Sequence, residues 1–555
     1  MCCKQFLTRA RTFHPRSWVL SALLLVCIAL QSAAHAQTGF AAPMGGTGSE
    51  EGHSVAVDAS GNVYTAGAFE GTVDFDPGVG IFNLTSVGGL DVFVSKLDSS
   101  GGFLWARAMG DTGEDQASGI AVDGSGNVYS TGFFEGTADF NPEVSVFNLI
   151  SAGARDVFVS KLNTSGNFTW AMSMGGTGAD EALGLDVDGS GNVFSSGFFE
   201  GTADFDPGGG VFNLVSTGGR DVFVSKLDVS GGFQWAKFMG GTGADESAGI
   251  ALDAAGNIHT TGTFEGTADF DPGGSVFNLT SASGNLFVSK LDTSGSFLWA
   301  KAMGGTGSDQ ASGIAVDASG GVHTTGYYQD TADFDPGAGV FNVATMGGRD
   351  AYISKLDASG DFLWAMSLGG TDADEGLGIA VDALGNVYTT GSFEGTADFD
   401  PSLAVLDLTS AGFTDIFVSK LDSSGDLVWA RTLGGTGNDR ALGVVADDSE
   451  LVYTTGSFEG VADFDPGQDV LILTSAGLTD IFASQLTRAG FMSLLGDANQ
   501  DGLVNATDAL WMIEFEFGLR NDLTNETSDL NGDGSIDSTD ALWATQIELG
   551  QRVQP

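Results

Sequence analysis

The sequence predicts a mainly β protein: a seven-bladed β-propeller of 65-residue repeats, followed by a small α-helical module with two paired calcium loops. Three observations predict it. Pro77, Pro142, Pro207, Pro272, Pro336, Pro401 and Pro466 recur at spacings of 65, 65, 65, 64, 65 and 65, the mark of one supersecondary unit copied along the chain. Within each copy, short runs alternate with period two and show no helical periodicity. Near the C-terminus, Asp497–Asp508 and Asp529–Asp540 repeat one oxygen-rich pattern of 12 residues.

The first repeat shows how each element is read. Ser54–Asp58 alternates as a first strand, and Ala59–Asn62 makes a turn. A second strand follows over Asn62–Phe69, a third over Asp91–Leu97 and a fourth over Phe103–Met109. Val, Thr, Tyr and Phe favour a half-buried pleated surface, while Asp, Ser, Gly and Asn punctuate it. Between the second and third strands, Gly71–Gly78 with Ile81–Leu84 reads as an extra hairpin or long loop on one edge. Four strands per unit, repeated, fit propeller blades. A solenoid would need distinct end caps; here Phe40–Met44 instead aligns with Trp105–Met109. That N-terminal segment is expected to complete the last blade, whose own fourth strand degenerates at Phe491–Leu495.

The expected domains are 1–36 as signal peptide, 37–495 as propeller and 496–555 as the calcium module. Lys4, Arg9, Arg11 and Arg16 precede an apolar run over Val19–Leu30, and Ala34-His35-Ala36 supplies a small-x-small cleavage site. Cys27 lies inside that run with Val26 before it, which disfavours lipidation there. The run is short of the about 20 residues that span a bilayer. No later segment qualifies, so the expectation is a secreted, soluble chain without a transmembrane segment.

Cys2, Cys3 and Cys27 all fall in that leader, so disulfides, thiol catalysis and thiolate metal sites are not expected in the exported chain. Removing Lys4, Arg9, Arg11 and Arg16, with no acidic residue lost, takes the net charge from −51 to −55. Such a field repels phosphate backbones and argues against nucleic acid as a partner. It fits solubility in a salty exterior or a set of cation sites.

Three carboxylates recur in every repeat. One lies near each unit start (Glu50, Asp115, Asp180, Asp245, Asp309, Asp374, Asp439), one ends the first strand (Asp58 to Asp447), and one opens the proline loop (Asp74 to Asp463). Repetition in every copy reads as turn capping and loop setting, with weak calcium binding as the functional alternative. The tryptophans from Trp105 to Trp429 read as packing between blades rather than as a sugar-stacking set. His259 and His323 occupy the slot of Tyr64, Tyr129, Tyr388 and Tyr453, and so read as tyrosine replacements. Arg155, Arg220 and Arg349 sit where other copies have Leu90, Thr414 and Thr479, a candidate contact for an anionic polymer.

The repeat phrases Gly-Asn-Val-Tyr-Thr-Thr-Gly, Ala-Asp-Phe-Asp-Pro-Gly and Phe-Val-Ser-Lys-Leu-Asp resemble the bacterial extracellular family of SBBP-type beta-propeller repeats, over about residues 40–495. The resemblance implies fold and export, and no common activity.

In the C-terminal module, oxygen side chains fall at loop positions 1, 3, 5, 9 and 12, with Gly502 and Gly534 at position 6. That spacing wraps carboxylates and a position-7 carbonyl around one hard cation per loop. The expected ligands are Asp497, Asn499, Asp501, Leu503, Asn505 and Asp508 in the first loop, and Asp529, Asn531, Asp533, Ser535, Asp537 and Asp540 in the second. Two Ca2+ ions follow, the only cofactor expected. Ala-Leu-Trp after each loop begins an amphipathic helix, and position 12 is Asp rather than the Glu of ordinary EF-hands. The pair resembles a type I dockerin over about residues 496–555. By that resemblance, the partner is a cohesin-like extracellular scaffold protein, and Ala506, Thr507, Ser538 and Thr539 fall on the family's recognition positions. Trp511–Phe517 is acidic and apolar where family helices carry Lys or Arg.

The expected function is a non-catalytic binding or scaffolding propeller held in an extracellular assembly, with polysaccharide breakdown as its setting. The alternatives are a glycoside hydrolase or polysaccharide lyase using propeller-face carboxylates, and a structural surface or matrix protein. No catalytic residue is assigned.

Overall fold

A computed structural model describes residues 38–486, apart from 282, 401, 403, 404, 448, 468 and 469. Among the described residues every regular element is a β-strand. Thr38–Pro466 and Val470–Leu486 form one compact unit.

The first repeat is a four-stranded antiparallel sheet running Glu50–Val57, Val63–Phe69, Asp91–Leu97 and Phe103–Met109. The third and fourth strands match the sequence reading residue for residue. The first strand starts four residues earlier than expected, for a reason visible in its register. Gly52 pairs with Gly67 and Ser54 with Ala66, leaving His53 as an extra residue in a β-bulge. A bulge shifts the alternation by one, so Glu50–Gly52 is out of phase with Ser54–Val57 and does not read as the same strand.

The arrangement recurs along the chain. The second repeat uses Gln116–Val122, Val128–Asp139, Asn148–Leu162 and Phe168–Gly176, and the third Glu181–Val187, Val193–Asp204, Asn213–Leu227 and Phe233–Gly241. The last group has Arg440–Ala446, Val452–Phe458 and Asp480–Leu486 from the end of the repeat region. Its fourth strand is the N-terminal Thr38–Gly46, with Met44 opposite Ile481 and Phe40 opposite Gln485. Its innermost strand neighbours that of the first repeat, just as successive innermost strands neighbour each other elsewhere. The described unit is therefore propeller-like and closed on itself.

The extra hairpin expected after the second strand is present and links neighbours. In the first repeat it comprises Thr72–Asp74 and Asn83–Thr85. Asp74 pairs with Gly45 and Val73 with Gly46, at the end of the preceding sheet's fourth strand. The third repeat does the same through Asp204 with Gly175 and Ala203 with Gly176.

The core lies between adjacent sheets rather than within one. Tyr64, Val92 and Val94 of the first repeat pack in one cluster with Ala117, Phe134, Phe140 and Phe158 of the second. Each fully buried Phe contributes roughly 2–3 kcal/mol of transfer free energy. The tryptophans extend this packing. Trp105 donates its ring N–H to the Thr164 carbonyl of the next repeat, 3.3 Å away. A Cβ at Gly166, whose φ is +74°, would lie 2.9 Å from that indole, so the turn glycine lets the ring close against it. Trp170 repeats the contact with the Val229 carbonyl at 3.2 Å.

Candidate functional site

The innermost strands of all repeats surround an axial cavity of about 200 Å³. Bulged residues of those strands, including His53, Ser118, Leu183, Ala248, Ser312 and Leu442, contribute to its lining. His53 is committed there: Nδ1 lies 2.8 Å from the Ala117 carbonyl and Nε2 3.2 Å from Glu51.

The three recurrent carboxylate series are engaged in internal hydrogen bonds. Asp58 accepts the backbone N–H groups of Ser60 and Asn62 on Oδ1, and the Asn62 amide and Tyr64 hydroxyl on Oδ2. Burial alone would raise its pKa, but the Asn62, Tyr64 and Ser60 donors hold it below the ordinary range. Asp74 accepts from the N–H groups of Asp76 and Phe82, setting the proline loop. Asp180 accepts from Gly176 and Glu200. It is fully buried, and burial pushes it up to about 7 against those two donors, with Asp156 adding to the rise. Turn capping and loop setting therefore account for Asp58, Asp74 and Asp180.

His259 and His323 do stand in for tyrosine. Asp317 lies 3.1 Å from His323 Nε2 and 3.1 Å from Lys355, the arrangement Tyr64, Lys96 and Asp58 make in the first repeat. Both imidazoles are fully buried. Burial, aided by Lys290, lowers His259 to about 4, and burial likewise lowers His323. Each is a neutral donor to Asp.

The arginines correct the anionic-polymer expectation. Arg155 stacks 4.1 Å over the Phe133 ring and pairs with Glu135 and with Glu181 of the next repeat. Arg220 does the same with Phe198, Glu200 and Glu246. Arg349 stacks on Tyr327 and pairs with Glu375, which Arg440 also contacts. Their positive charge is spent on joining repeats.

One carboxylate series escaped the sequence reading. Asp91, Asp156, Asp221, Asp350, Asp415 and Asp480 recur at one position of the third strands, opening them in the first and last repeats, and are at most 3% exposed; the fourth repeat has Asn285 there. Their recurrence was the available signal. Among the described residues no group of three or more His, Cys, Asp or Glu is placed to hold a metal ion. No described helix is long and apolar enough to cross a membrane.

The calcium ligands from Asp497 to Asp540, the recognition residues Ala506, Thr507, Ser538 and Thr539, and the leader lie outside the described residues. Residues 495–546 match the family model of the Dockerin type I domain, a span that includes all of those ligands and recognition residues. A dockerin domain of this type binds calcium and implies attachment to an assembly through a cohesin partner. The chain thus combines a propeller-like repeat unit with a dockerin.

Among curated proteins, the Uncharacterized WD repeat-containing protein L264 of Acanthamoeba polyphaga mimivirus is 24% identical over 498 residues, 76% of this chain and 36% of its own length. Regulatory protein FlaEY of Caulobacter vibrioides is 29% identical over 161 residues, 28% of this chain and 17% of its own. The chain thus spans well under half the length of either relative. Among solved structures, the Neurospora crassa Pan2 WD40 domain aligns with TM-score 0.35 and 10% identity, over 79% of this chain and 91% of that one. The pyranose dehydrogenase PQQ domain of Coprinopsis cinerea aligns with TM-score 0.32 and 11% identity, over 80% and 94%.

Proposed function

We propose that this chain is a secreted, non-catalytic scaffolding or binding protein: a seven-bladed propeller of the SBBP kind, exported by residues 1–36 and anchored to a cohesin-bearing extracellular assembly by its dockerin. The observation that carries this reading is the dockerin match at 495–546 on a chain whose repeated carboxylates serve the repeats themselves. Asp58, Asp74 and Asp180 each accept two or more internal hydrogen bonds, which suits a scaffold better than acid–base chemistry. Two calcium ions, one in each loop from Asp497 to Asp508 and from Asp529 to Asp540, would fold the anchor. Ala506, Thr507, Ser538 and Thr539 would meet the cohesin. Polysaccharide is the first material to test on the propeller.

The test is a pull-down of exported proteins from the source organism on the immobilised full chain, in calcium and in chelator. Calcium-dependent capture of a cohesin-bearing protein is the expected result. Capture that persists in chelator, or none from a chain shown to bind calcium, would sink the reading. Release of new reducing ends from polysaccharide by the purified chain would overturn the non-catalytic part alone.

A further inference from the structure

Each sheet meets the next at a glycine that ends a fourth strand. At the first junction a Cβ on Gly110 would lie 2.7 Å from Asp91 Oδ1 and 2.8 Å from Asp115 Oδ2. Two carboxylates, one from each repeat, thus crowd the space that a side chain on this glycine would fill. Gly175 stands in the same way between Asp156 and Asp180, Gly369 between Asp350 and Asp374, and Gly434 between Asp415 and Asp439. Asp221 approaches Gly240, with Asp245 donated to by Gly241, and Asp480 approaches Gly45, with Glu50 donated to by Gly46.

All twelve side chains are at most 3% exposed. The third-strand Asp of each pair accepts a backbone N–H on Oδ2, from Val87 to Asp91 and from Ala152 to Asp156, for example. Its Oδ1 has no hydrogen-bond partner at any of the six junctions. Orphaned, buried carboxylate oxygens are costly, and two buried negative charges side by side cost more. One proton held between the two groups removes both costs, because it neutralises one charge and makes the missing hydrogen bond.

The surroundings supply no counter-charge. The further charged groups acting on the pairs are Asp111 and Glu135 at the first junction, Glu200 at the second, Glu265 at the third, Asp372 at the fifth, Glu459 at the sixth and Glu70 at the last. All are acidic. No Lys, Arg or His of the described residues forms an ion pair with any of the twelve. At the fourth junction Asn285, a neutral isostere with its own N–H donor, stands beside Asp309 at Gly304, and burial raises Asp309 to about 6 there as well.

We propose that each of these six junctions holds one proton shared between its two carboxyl groups, so that closing the repeat unit takes up protons and the folded ring is more stable in mild acid than in mild alkali. Burial supports this, raising Asp91 to about 7 and Asp115 to about 6, with each pair behaving as a unit. The unfolded groups titrate near 4. Below that pH both states are protonated and the fold carries no penalty. As pH rises from about 4 to about 7 the unfolded carboxyls ionise while the folded junction keeps its proton, so stability is lost until the folded junction ionises as well. Each shared proton shifts the folding equilibrium tenfold per pH unit across that window. His259 and His323 act in the opposite sense below pH 6.5, and they are only two.

The test uses the full chain in saturating calcium, beside a variant carrying Asp→Asn at 91, 156, 221, 350, 415 and 480. Urea midpoints are followed from pH 5 to pH 8, and the infrared carboxylic-acid C=O band is recorded at pH 7. The parent is expected to lose stability as pH rises and to show a protonated-carboxyl band that shifts in heavy water. The variant should have a slope shallower by up to six protons and a weaker band. Asp91→Asn alone, which copies Asn285, should make the slope shallower by up to one proton if the full variant does not fold. Equal slopes, or no band in the parent at pH 7, would overturn the proposal. So would a loss of the repeat unit's stability in chelator that the Asn variant does not share, since that outcome makes the junctions cation sites.

Discussion

Phe40 lies opposite Gln485 in an antiparallel pair, so the two ends of the described chain share one sheet. Among the described residues, Thr38–Gly46 is the fourth strand of the last group, paired with Asp480–Leu486. Met44, fully buried in the cluster with Phe69, Phe75 and Phe93, is the apolar anchor. Met44→Ala is expected to cost ~2–5 kcal/mol, and deletion of residues 38–44 to lower the melting temperature sharply. Calorimetry checks both, and an unchanged melt after deletion would count against closure.

Arg155 and Glu181 join consecutive repeats at 3.4 Å, with the arginine 40% and the glutamate 13% exposed. A pair this open to water is worth under ~1 kcal/mol. A double-mutant cycle should return that coupling at low salt and less at high salt. Arg155→Ala should nevertheless cost more than Glu181→Gln, because the guanidinium also covers Phe133, a contact worth about 0.5–1 kcal/mol. Equal losses would mean that the stacking contributes nothing.

How much of this was legible follows the range over which each signal acts. The third and fourth strands of the first repeat, Asp91–Leu97 and Phe103–Met109, were readable because alternation is local. Glu50–Gly52 was not, since the His53 bulge breaks the alternation that defines a strand. Arg155 reads from the sequence as a candidate contact for an anionic polymer because its partner Glu181 belongs to the next repeat. Asp91 passed as an ordinary strand start because its pairing with Asp115 exists only when two sheets close on Gly110. Contacts between repeats carry the electrostatics of this protein, and a repeat read singly does not contain them.

His259 makes a pH prediction of the opposite sign to the junctions. Its folded pKa is lowered to about 4, against about 6.5 in the unfolded chain. Between those values the unfolded state binds a proton that the folded state refuses, so stability falls as pH falls through that window, by at most about 3 kcal/mol. His259→Tyr, the residue at 64 and 129, should remove the loss while keeping the hydrogen bond to Asp253. Comparing urea midpoints of variant and parent at pH 7 and pH 5 isolates the effect, because the junctions are common to both. The two proteins should diverge at pH 5 and agree more closely at pH 7; identical behaviour at both would show that the imidazole is not held neutral.

The two C-terminal loops make the last prediction. Asp497 and Asp529 stand at position 1 of loops with the same spacing, inside the span that matches the Dockerin type I domain. If each loop holds one ion, calorimetric titration of the full chain should return two calcium ions. Asp497→Ala and Asp529→Ala should each remove one, and the double substitution both. Since the ligands gather carboxylates that repel one another without metal, binding and folding of this segment are one event. Chelator should therefore abolish a helical circular-dichroism signal while leaving the β signal of the repeats intact. Loss of the β signal in chelator would place calcium in the repeats as well, against the absence of any three-residue ligand group among their described side chains.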